Sequence, residues 1–376
     1  MHNRLVLFTL VVQLLLQGCA ALPSSGPAAE DIPENATNEA ADFVVIPMTA
    51  QNAAILGQPQ IRSIEDKFGT NSARPARPNI GIGDTLAVSI WEASSDGLFS
   101  TAETKQTQLT ITVDQSRSIF IPYAGRISVA GFGVEDLRDE ITEKLQGQAI
   151  DPQVQVALVA RESQKLTVVG DVTAPGQFDV PPNGIRLIEA IARAGGAQAP
   201  SFETELIVTR GNTRATARMD TVLANTRNNI WLRPEDTIQV RHRPRSFTAF
   251  GAVSAQNLQP FRTENVTLAE ALAQAGGLDD NQADADGVFL FRYETAQRLS
   301  QAGIAAPEQT DPREIPTIYR LDLSEPEAFF IAGAFAMHDK DIIYVANAPA
   351  TDLQKFTATI LSPLLSSTNT IDGLVN

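Results

Sequence analysis

An internal duplication constrains this 376-residue chain more than any other feature. The stretch from Gly170 to Gly196 reappears 81 residues later as Gly251 to Gly277, where GIRLIEAIARAGG is matched by NVTLAEALAQAGG. Each copy reads as one small unit of a strand, a glycine turn and a helix. Because neither copy carries a catalytic group, the duplication favours a scaffold for binding or assembly over an enzyme.

The two copies predict the same order of elements. Strands are expected over Leu166–Val169 and Phe247–Phe250, and helices over Leu187–Ala194 and Leu268–Ala275. In the second copy Thr267 and Glu270 have the spacing of a capping box, in which two side chains bond to free N–H groups at the helix start. The first copy has Arg186 in place of the threonine, so this cap is predicted to be missing there.

The residues before the duplication predict a separate, small α+β domain. Helical spacing places Val134, Leu137 and Ile141 on one face, and short apolar alternations on either side predict strands. Ile80–Trp91 is predicted to be a turn followed by a strand, and further strands are expected over Leu109–Val113, Ser118–Pro122 and Val154–Leu158. Tyr293–Ile315 has no counterpart in the first copy and is predicted to be a surface insertion with a helical start.

The N-terminus resembles that of a bacterial lipoprotein. Residues 1–18 have a basic start and a short apolar core, as in a secretory signal peptide. Gly18-Cys19 then resembles a lipobox, in which the cysteine is acylated after cleavage. Cys19 is the only cysteine, so no intramolecular disulfide can form. Ala20 follows the cysteine, which in lipoproteins implies sorting to the outer membrane. A plain signal peptide is the alternative.

Composition limits the partners of the chain. It carries 29 Lys and Arg side chains against 44 Asp and Glu, a net charge of −15. Nucleic-acid phosphates require basic patches, so a nucleic-acid partner is not expected. The stretch Ala20–Ala41 is rich in Pro, Ser, Ala and acidic residues, and residues 19–73 are therefore predicted to be a flexible tether.

The last segment, residues 350–376, predicts an amphipathic helix. One side is apolar and is predicted to face lipid: Leu353, Phe356, Ile360 and Leu364. The other side is polar and is predicted to line a pore: Lys355, Thr359, Ser362 and Ser366. A lone helix would leave the polar stripe in lipid, which is costly, whereas a ring of copies would enclose water with it. The alternative is a helix that packs on its own domain or lies in the membrane interface.

The sequence offers no catalytic or metal-binding constellation. His242 and His338 lack metal-ligand spacing and are predicted to be surface residues, and neither a G-x-S-x-G elbow nor a P-loop occurs. The acidic stretch Asp279–Gly287 lacks two ligand positions of an EF-hand loop and is predicted to be solvated. We therefore expect no enzyme activity, no cofactor and no metal.

Ordered motifs identify a resemblance to the bacterial polysaccharide export family, the Wza-like outer-membrane lipoproteins. The family's first motif is matched from Ile82-Gly83-Asp84 to Trp91, the second by Ile119–Gly131, and the third by Leu137–Val156. The duplicated units resemble the soluble-ligand-binding β-grasp (SLBB) modules that follow in this family. The resemblance covers the chain from about residue 74 to the end, together with the lipobox.

The resemblance implies an α+β, multidomain architecture. A polysaccharide export domain would cover residues 74–162, SLBB repeats 163–245 and 246–349, and the C-terminal amphipathic helix 350–376. It further implies a ring homo-oligomer, often eight-fold, which passes capsular polysaccharide or exopolysaccharide through the outer membrane. An inner-membrane co-polymerase, sometimes a tyrosine kinase, would dock at its periplasmic mouth. The alternatives are a periplasmic glycan- or ligand-binding lipoprotein without a pore, and a structural adaptor of another secretion machine.

Overall fold

The computed structural model describes residues 29, 32, 43–58, 63–69, 79–93, 97–100, 106–307 and 311–348. These residues belong to two compact units, Ile61–Arg243 and the combination of Met1–Gln60 with Pro244–Asn376. Helices and several sheets occur in the described part of the chain, which confirms the α+β, multidomain class. Each unit is described separately below.

The predicted flexible tether is wrong for its second half. Strand β1 (Val44–Pro47) and helix α1 (Ala50–Leu56) belong to the unit of the second repeat, and helix α2 (Glu65–Phe68) to the unit of the first. The side chains of Ile46, Leu56 and Ile64 are fully buried. The polar composition before residue 42 concealed these short apolar stretches, whose burial against the repeats provides the free energy to order them.

The export domain is built on a three-stranded antiparallel sheet. The central strand β2 (Thr85–Trp91) lies between β3 (Gln106–Thr112) and a later strand, β6 (Gln153–Ala160). A hairpin of β4 (Ser118–Ile121) and β5 (Gly125–Ser128) and the helix α3 (Val134–Leu145) lie between them in sequence. Alternate residues of β2 are buried with one face of α3, as the periodicities of a strand and a helix require: Leu86, Val88, Ile90, Leu137, Ile141 and Leu145.

The first repeat forms a five-stranded sheet in the order β10-β9-β11-β7-β8. In chain order its elements are β7 (Lys165–Gly170), β8 (Gly176–Asp179), α4 (Leu187–Arg193), β9 (Thr204–Arg210), β10 (Thr213–Arg218), α5 (Met219–Ala224) and β11 (Thr237–His242). The first and last strands, β7 and β11, pair in parallel, and the other pairs are antiparallel. This parallel pairing of the terminal strands is β-grasp-like.

The second repeat has the same sheet with one strand added. Its elements are β12 (Ser246–Gly251), β13 (Leu258–Pro260), α6 (Leu268–Gln274), β14 (Ala283–Glu294), α7 (Ala296–Gln301), β15 (Ile315–Leu321), α8 (Pro326–Ala334) and β16 (Ile342–Asn347). The strand order is β1-β15-β14-β16-β12-β13, which repeats the first order and extends it with β1. The duplication inferred from the sequence is therefore a duplication of structure.

The helix caps confirm the predicted contrast and add an unexpected residue. In the second repeat the Thr267 hydroxyl accepts from the Glu270 N–H at 3.3 Å, and the Glu270 carboxylate accepts from the Thr267 N–H at 2.9 Å. In the first repeat Arg186 makes no side-chain cap. The Asn229 amide oxygen accepts from the Ile188 N–H at 3.0 Å instead, so a residue distant in sequence caps α4.

The predicted surface insertion is only partly correct. Tyr293 and Glu294 are the last residues of β14, and Glu294 is fully buried. The helical start occurs as α7, but Leu299 on this helix is fully buried in the core of the second repeat. The insertion is therefore fixed to its domain, because an apolar side chain at the middle of α7 packs inward.

Candidate functional site

The residues predicted to anchor the chain and to line a pore lie outside the described residues. These are Cys19, the pore-lining set Lys355, Thr359, Ser362 and Ser366, and the lipid-facing set Leu353, Phe356, Ile360 and Leu364. They stay predictions. Among the helices that the structure describes, none has the length and apolar character needed to span a membrane.

The contacts of Asp84 give a structural reason for the aspartate near the start of the first motif. Its carboxylate is fully buried and accepts from the Gly81 N–H at 2.9 Å. It also accepts from the N–H and the hydroxyl of Ser163, both at 2.8 Å. A carboxylate can accept all of these bonds at once, whereas a neutral side chain of the same size cannot. Asp84 therefore joins the start of the export domain to the residues that lead into the first repeat.

Glu92, directly after β2, is a second buried carboxylate that organises the export domain. It accepts from the Phe99 N–H at 3.0 Å and from the Ile150 N–H at 2.8 Å. The hydrogen bond from Phe99, followed by that from Ile150, holds the pKa of Glu92 below its ordinary value. The group is thus an ionised structural acceptor rather than a proton donor.

The β4–β5 hairpin presents an exposed aromatic surface. The side chains of Phe120 and Tyr123 are 63% and 54% exposed. Tyr123 has a φ of +67°, an uncommon conformation for a residue with a side chain, and its ring packs edge-on against Phe99 with centroids 5.6 Å apart. Gly125, with a φ of +76°, completes the turn. The second family motif therefore encodes a tight turn that directs aromatic side chains outward.

Each repeat contains the same buried ion pair, which the sequence pattern did not reveal. In the first repeat Arg210 donates to both carboxylate oxygens of Asp236, from Nε at 2.8 Å and from Nη2 at 2.6 Å. In the second repeat Arg292 bonds to Asp341 in the same way at 2.9 and 2.6 Å. A bidentate pair of this kind fixes the orientation of both side chains and also stabilises their opposite charges.

The environment of Arg292 keeps it charged. Burial alone would lower the pKa of this guanidinium, but the adjacent Asp341 carboxylate raises it above its ordinary value. Its Nη2 also donates to the Ala336 carbonyl at 2.9 Å, and Arg210 donates to the Trp231 carbonyl at the same distance. These pairs are structural, since every bond named here ends on the protein itself.

The histidines do not form a reactive site. His242 is exposed, as predicted, and its Nε2 lies 2.8 Å from Glu203. The prediction is only partly correct for His338, which is half-buried, with its Nε2 3.5 Å from Arg292 Nη1 and 3.3 Å from the Gln58 carbonyl. Burial, and then the charge of Arg292, lower the pKa of His338 to about 2. No group of three side chains suited to a metal ion occurs in the described ranges.

The fold and the motifs define the class of protein. The family model for polysaccharide biosynthesis/export proteins matches residues 72–159, and the SLBB domain model matches residues 164–240 and 245–345. These matches cover most of the chain in the order seen in the structure. The chain belongs to the polysaccharide biosynthesis/export family.

Two of its relatives match almost end to end, and a third matches over about four fifths of its length. The capsule polysaccharide export outer membrane protein CtrA of Neisseria meningitidis serogroup A is 32% identical over 385 residues, which cover 98% of this chain and 99% of the relative. The capsule polysaccharide export protein BexD of Haemophilus influenzae is 33% identical, with 96% of each chain covered. The Vi polysaccharide export protein VexA/TviF of Salmonella typhi is 31% identical over 76% of this chain and 79% of its own.

Proposed function

We propose that the chain exports capsular polysaccharide or exopolysaccharide from the periplasm as a homo-oligomeric channel of the outer membrane. Polysaccharide export is the function in the names of relatives that match almost end to end, and CtrA is named as an outer membrane protein. This full-length similarity, which includes the export domain and both repeats, is the observation that carries the proposal.

The chain is attached to the outer membrane at two places. Acylation of Cys19 inserts a lipid anchor, as the lipobox supports. Residues 350–376 form the second attachment, a helix whose apolar side faces lipid. Its polar side faces water with Lys355, Thr359, Ser362 and Ser366. A ring of copies satisfies both sides of this helix, since the polar stripes then surround a common lumen.

The mechanism is guidance of a polymer and involves no bond chemistry. The relatives are named as export proteins rather than as enzymes. The buried carboxylates and arginines of the described residues bond to backbone groups and to each other. The cargo is a polysaccharide, and the partner that docks at the periplasmic mouth is an inner-membrane co-polymerase, which in some systems is a tyrosine kinase.

Deletion of the gene in a capsule- or exopolysaccharide-producing host tests this function. Surface polysaccharide is expected to disappear, with polymer retained inside the cell, and the wild-type gene is expected to restore export. A periplasmic glycan-binding lipoprotein without a pore would leave surface polysaccharide in place after deletion. An adaptor of another secretion machine would do the same, although it would still form a ring.

A further inference from the structure

The sheet of the second repeat has an exposed apolar surface on the face that points away from the main core. On this face Thr248 of β12 lies opposite Leu258 of β13 and Ile342 of β16. Because residues two apart in a strand share a face, Phe250 lies on it as well. So does Tyr293, since Phe291, two residues before it, pairs with Ile342. Four exposed side chains of this face are named here the sheet patch: Phe250, Leu258, Tyr293 and Ile342.

The equivalent face of the first repeat is polar at these places. There Thr167 pairs with Gln177 and with Thr237. Leu258 and Ile342 hold the same two places in the second repeat. The fold that the repeats share therefore does not require an apolar surface here. Contiguous exposed apolar side chains commonly mark interaction sites, so the sheet patch indicates a contact made by the second repeat.

The chain itself covers another part of the same face. Phe289 and Tyr344 lie there in a small buried cluster, to which Ala29 and Ile32 contribute. The sheet patch adjoins this cluster, because Phe250 pairs with Tyr344 across β12 and β16. Its side chains nevertheless stay exposed. The sheet patch is thus the open continuation of a surface that is otherwise buried.

Helix α8 carries a second exposed apolar surface, on the opposite side of the same repeat. Its side chains Ile331 and Ala332 pack in the main core, which lies on the inner face of the sheet. The helical period directs Phe329 and Phe330 away from that core, and both are exposed. A Cβ atom added at Gly333 would have no atom of the described residues within 4 Å. Phe329, Phe330 and Gly333 are named here the helix patch.

The borders of the two patches carry opposite charges. Glu325 and Glu327, at the start of α8, are exposed beside the helix patch. Lys340 is exposed two residues before Ile342 of the sheet patch, and its Nζ donates to the Ser246 hydroxyl at 3.1 Å. A helix patch against a sheet patch therefore brings opposite charges together. Two sheet patches against each other would place lysine near lysine.

We propose that the helix patch of one copy binds the sheet patch of the next copy, so that second repeats join head to tail. A contact between two different surfaces repeats from copy to copy and closes into a ring, whereas a surface that binds itself stops at a dimer. Phe329 and Phe330 supply the aromatic anchors that dominate many interfaces. This inference rests on the proposed function, because it assigns the surfaces through which the copies of the homo-oligomer meet.

Variants that damage one patch each test this contact in the full-length, lipidated protein in detergent. Leu258→Asp places a carboxylate in the sheet patch and Phe330→Asp places one in the helix patch, so each would bury an unpaired charge in an apolar contact. Mass photometry is expected to show association weakened at least about thirtyfold in either variant, as for the loss of an interface hot spot. The matched control is Gln177→Asp, at the exposed place in the first repeat that is equivalent to Leu258, and it should assemble as wild type.

Mixing the two damaged proteins tests the head-to-tail arrangement itself. The Leu258→Asp protein keeps an intact helix patch and the Phe330→Asp protein an intact sheet patch, so the mixture should form dimers of one copy of each that do not grow into rings.

Three results would overturn the inference while leaving the proposed function intact. The first is wild-type rings together with rings in either variant. The second is a mixture that yields no dimers, which would indicate a surface that binds itself. The third is a lowered melting temperature with unchanged assembly, which would show that the chain covers the patch with its own residues. A wild-type protein that forms no ring would instead overturn the proposed function together with the inference.

Discussion

A Cβ atom on Gly251 would lie 2.0 Å from the carbonyl oxygen of Val345. In the first repeat a Cβ atom on Gly170 would lie 1.9 Å from the carbonyl oxygen of Val240. Both glycines have positive φ angles, +98° for Gly170 and +82° for Gly251. Gly170 and Gly251, which are equivalent in the duplication, thus lie where the first strand of each repeat passes closest to the last strand.

We expect Gly251→Ala to destabilise the second repeat severely. The backbone conformation alone costs an alanine roughly 1–2 kcal/mol, and the collision with the Val345 carbonyl adds to this because main chain cannot move aside cheaply. Gly277→Ala is the matched control, because its φ is +77° but no atom lies within 4 Å of the added Cβ. Urea unfolding measures both changes, and equal losses of unfolding free energy in the two variants would contradict the steric argument.

The ion pair Arg292–Asp341 is expected to be costly to break from one side. Asp341→Ala removes the bidentate partner of a buried guanidinium and leaves it only the Glu294 carboxylate at 3.7 Å. Removing one partner of a buried ion pair typically costs about 3–5 kcal/mol of unfolding free energy. Asp322→Ala, at an exposed aspartate that bonds to Ser324, is the control and should change stability little. Thermal unfolding of both variants measures this loss of stability. A melting temperature of Asp341→Ala close to that of wild type would show that the ion pair does not stabilise the second repeat.

Acid is expected to destabilise the second repeat through His338. Its pKa in the folded chain is lowered to about 2, against an ordinary value near 6.5. The unfolded state therefore takes up a proton below about pH 6.5 that the folded state does not, and stability falls as the pH falls through this window, by up to about 1.4 kcal/mol per pH unit.

His338→Gln isolates this effect, because glutamine can still bond to the Gln58 carbonyl but does not titrate. Denaturant unfolding between pH 7 and pH 5 should show a smaller loss of stability in His338→Gln than in wild type. His242→Gln, at the exposed histidine, should behave as wild type. A parallel loss in all three proteins would show that His338 is not the titrating group.

Caps and repeats illustrate how far the sequence alone predicts this fold. Local spacing of residues predicts the strands, the helices after each glycine turn and the Thr267 capping box, because each depends on residues close together in sequence. The Asn229 cap and β1 could not, because their partners Ile188 and β15 are distant in sequence. The two buried ion pairs could not be predicted from the sequence for a related reason. The two arginines lie 82 residues apart and the two aspartates 105, so no constant offset connects them.

For the candidate site, the sequence predicts which residues belong to a motif but not which contacts they make. Asp84 and Gly125 belong to the ordered motifs, but a motif does not reveal that Asp84 accepts hydrogen bonds from Ser163 or that Gly125 completes a hairpin turn. The partial burial of His338 is not predictable either, because it depends on Arg292 and on the Gln58 carbonyl, which are distant in sequence. Such contacts arise only once the chain has folded.

The helix caps give a further prediction. Asn229→Ala should destabilise the first repeat by about 1 kcal/mol, as Thr267→Ala should the second, because each removes the acceptor for a free N–H at a helix start. Asn229→Asp and Thr267→Ser keep an acceptor oxygen and should retain most of the stability. Loss of equal size in Asn229→Ala and Asn229→Asp would show that the amide oxygen is not the cap.

The two proposed membrane attachments can be tested in cells. Ile360→Asp should prevent insertion of residues 350–376 and abolish surface polysaccharide, because an acidic side chain in lipid costs a few kcal/mol. Ser362→Asp places the same charge on the side proposed to face water and should retain export. Cys19→Ser should leave the protein unlipidated and lower export. Unchanged surface polysaccharide in Ile360→Asp, measured by antibody or lectin binding to intact cells, would remove the case for a helical pore.

Electron cryo-microscopy of the lipidated, full-length protein in a membrane mimic tests the central claim most directly. The account predicts a closed ring of identical subunits with a central opening, in which residues 350–376 of every copy cross the bilayer and turn Lys355, Thr359, Ser362 and Ser366 towards the lumen. Single copies on the membrane surface, or rings in which residues 350–376 fold back on their own subunit, would contradict it.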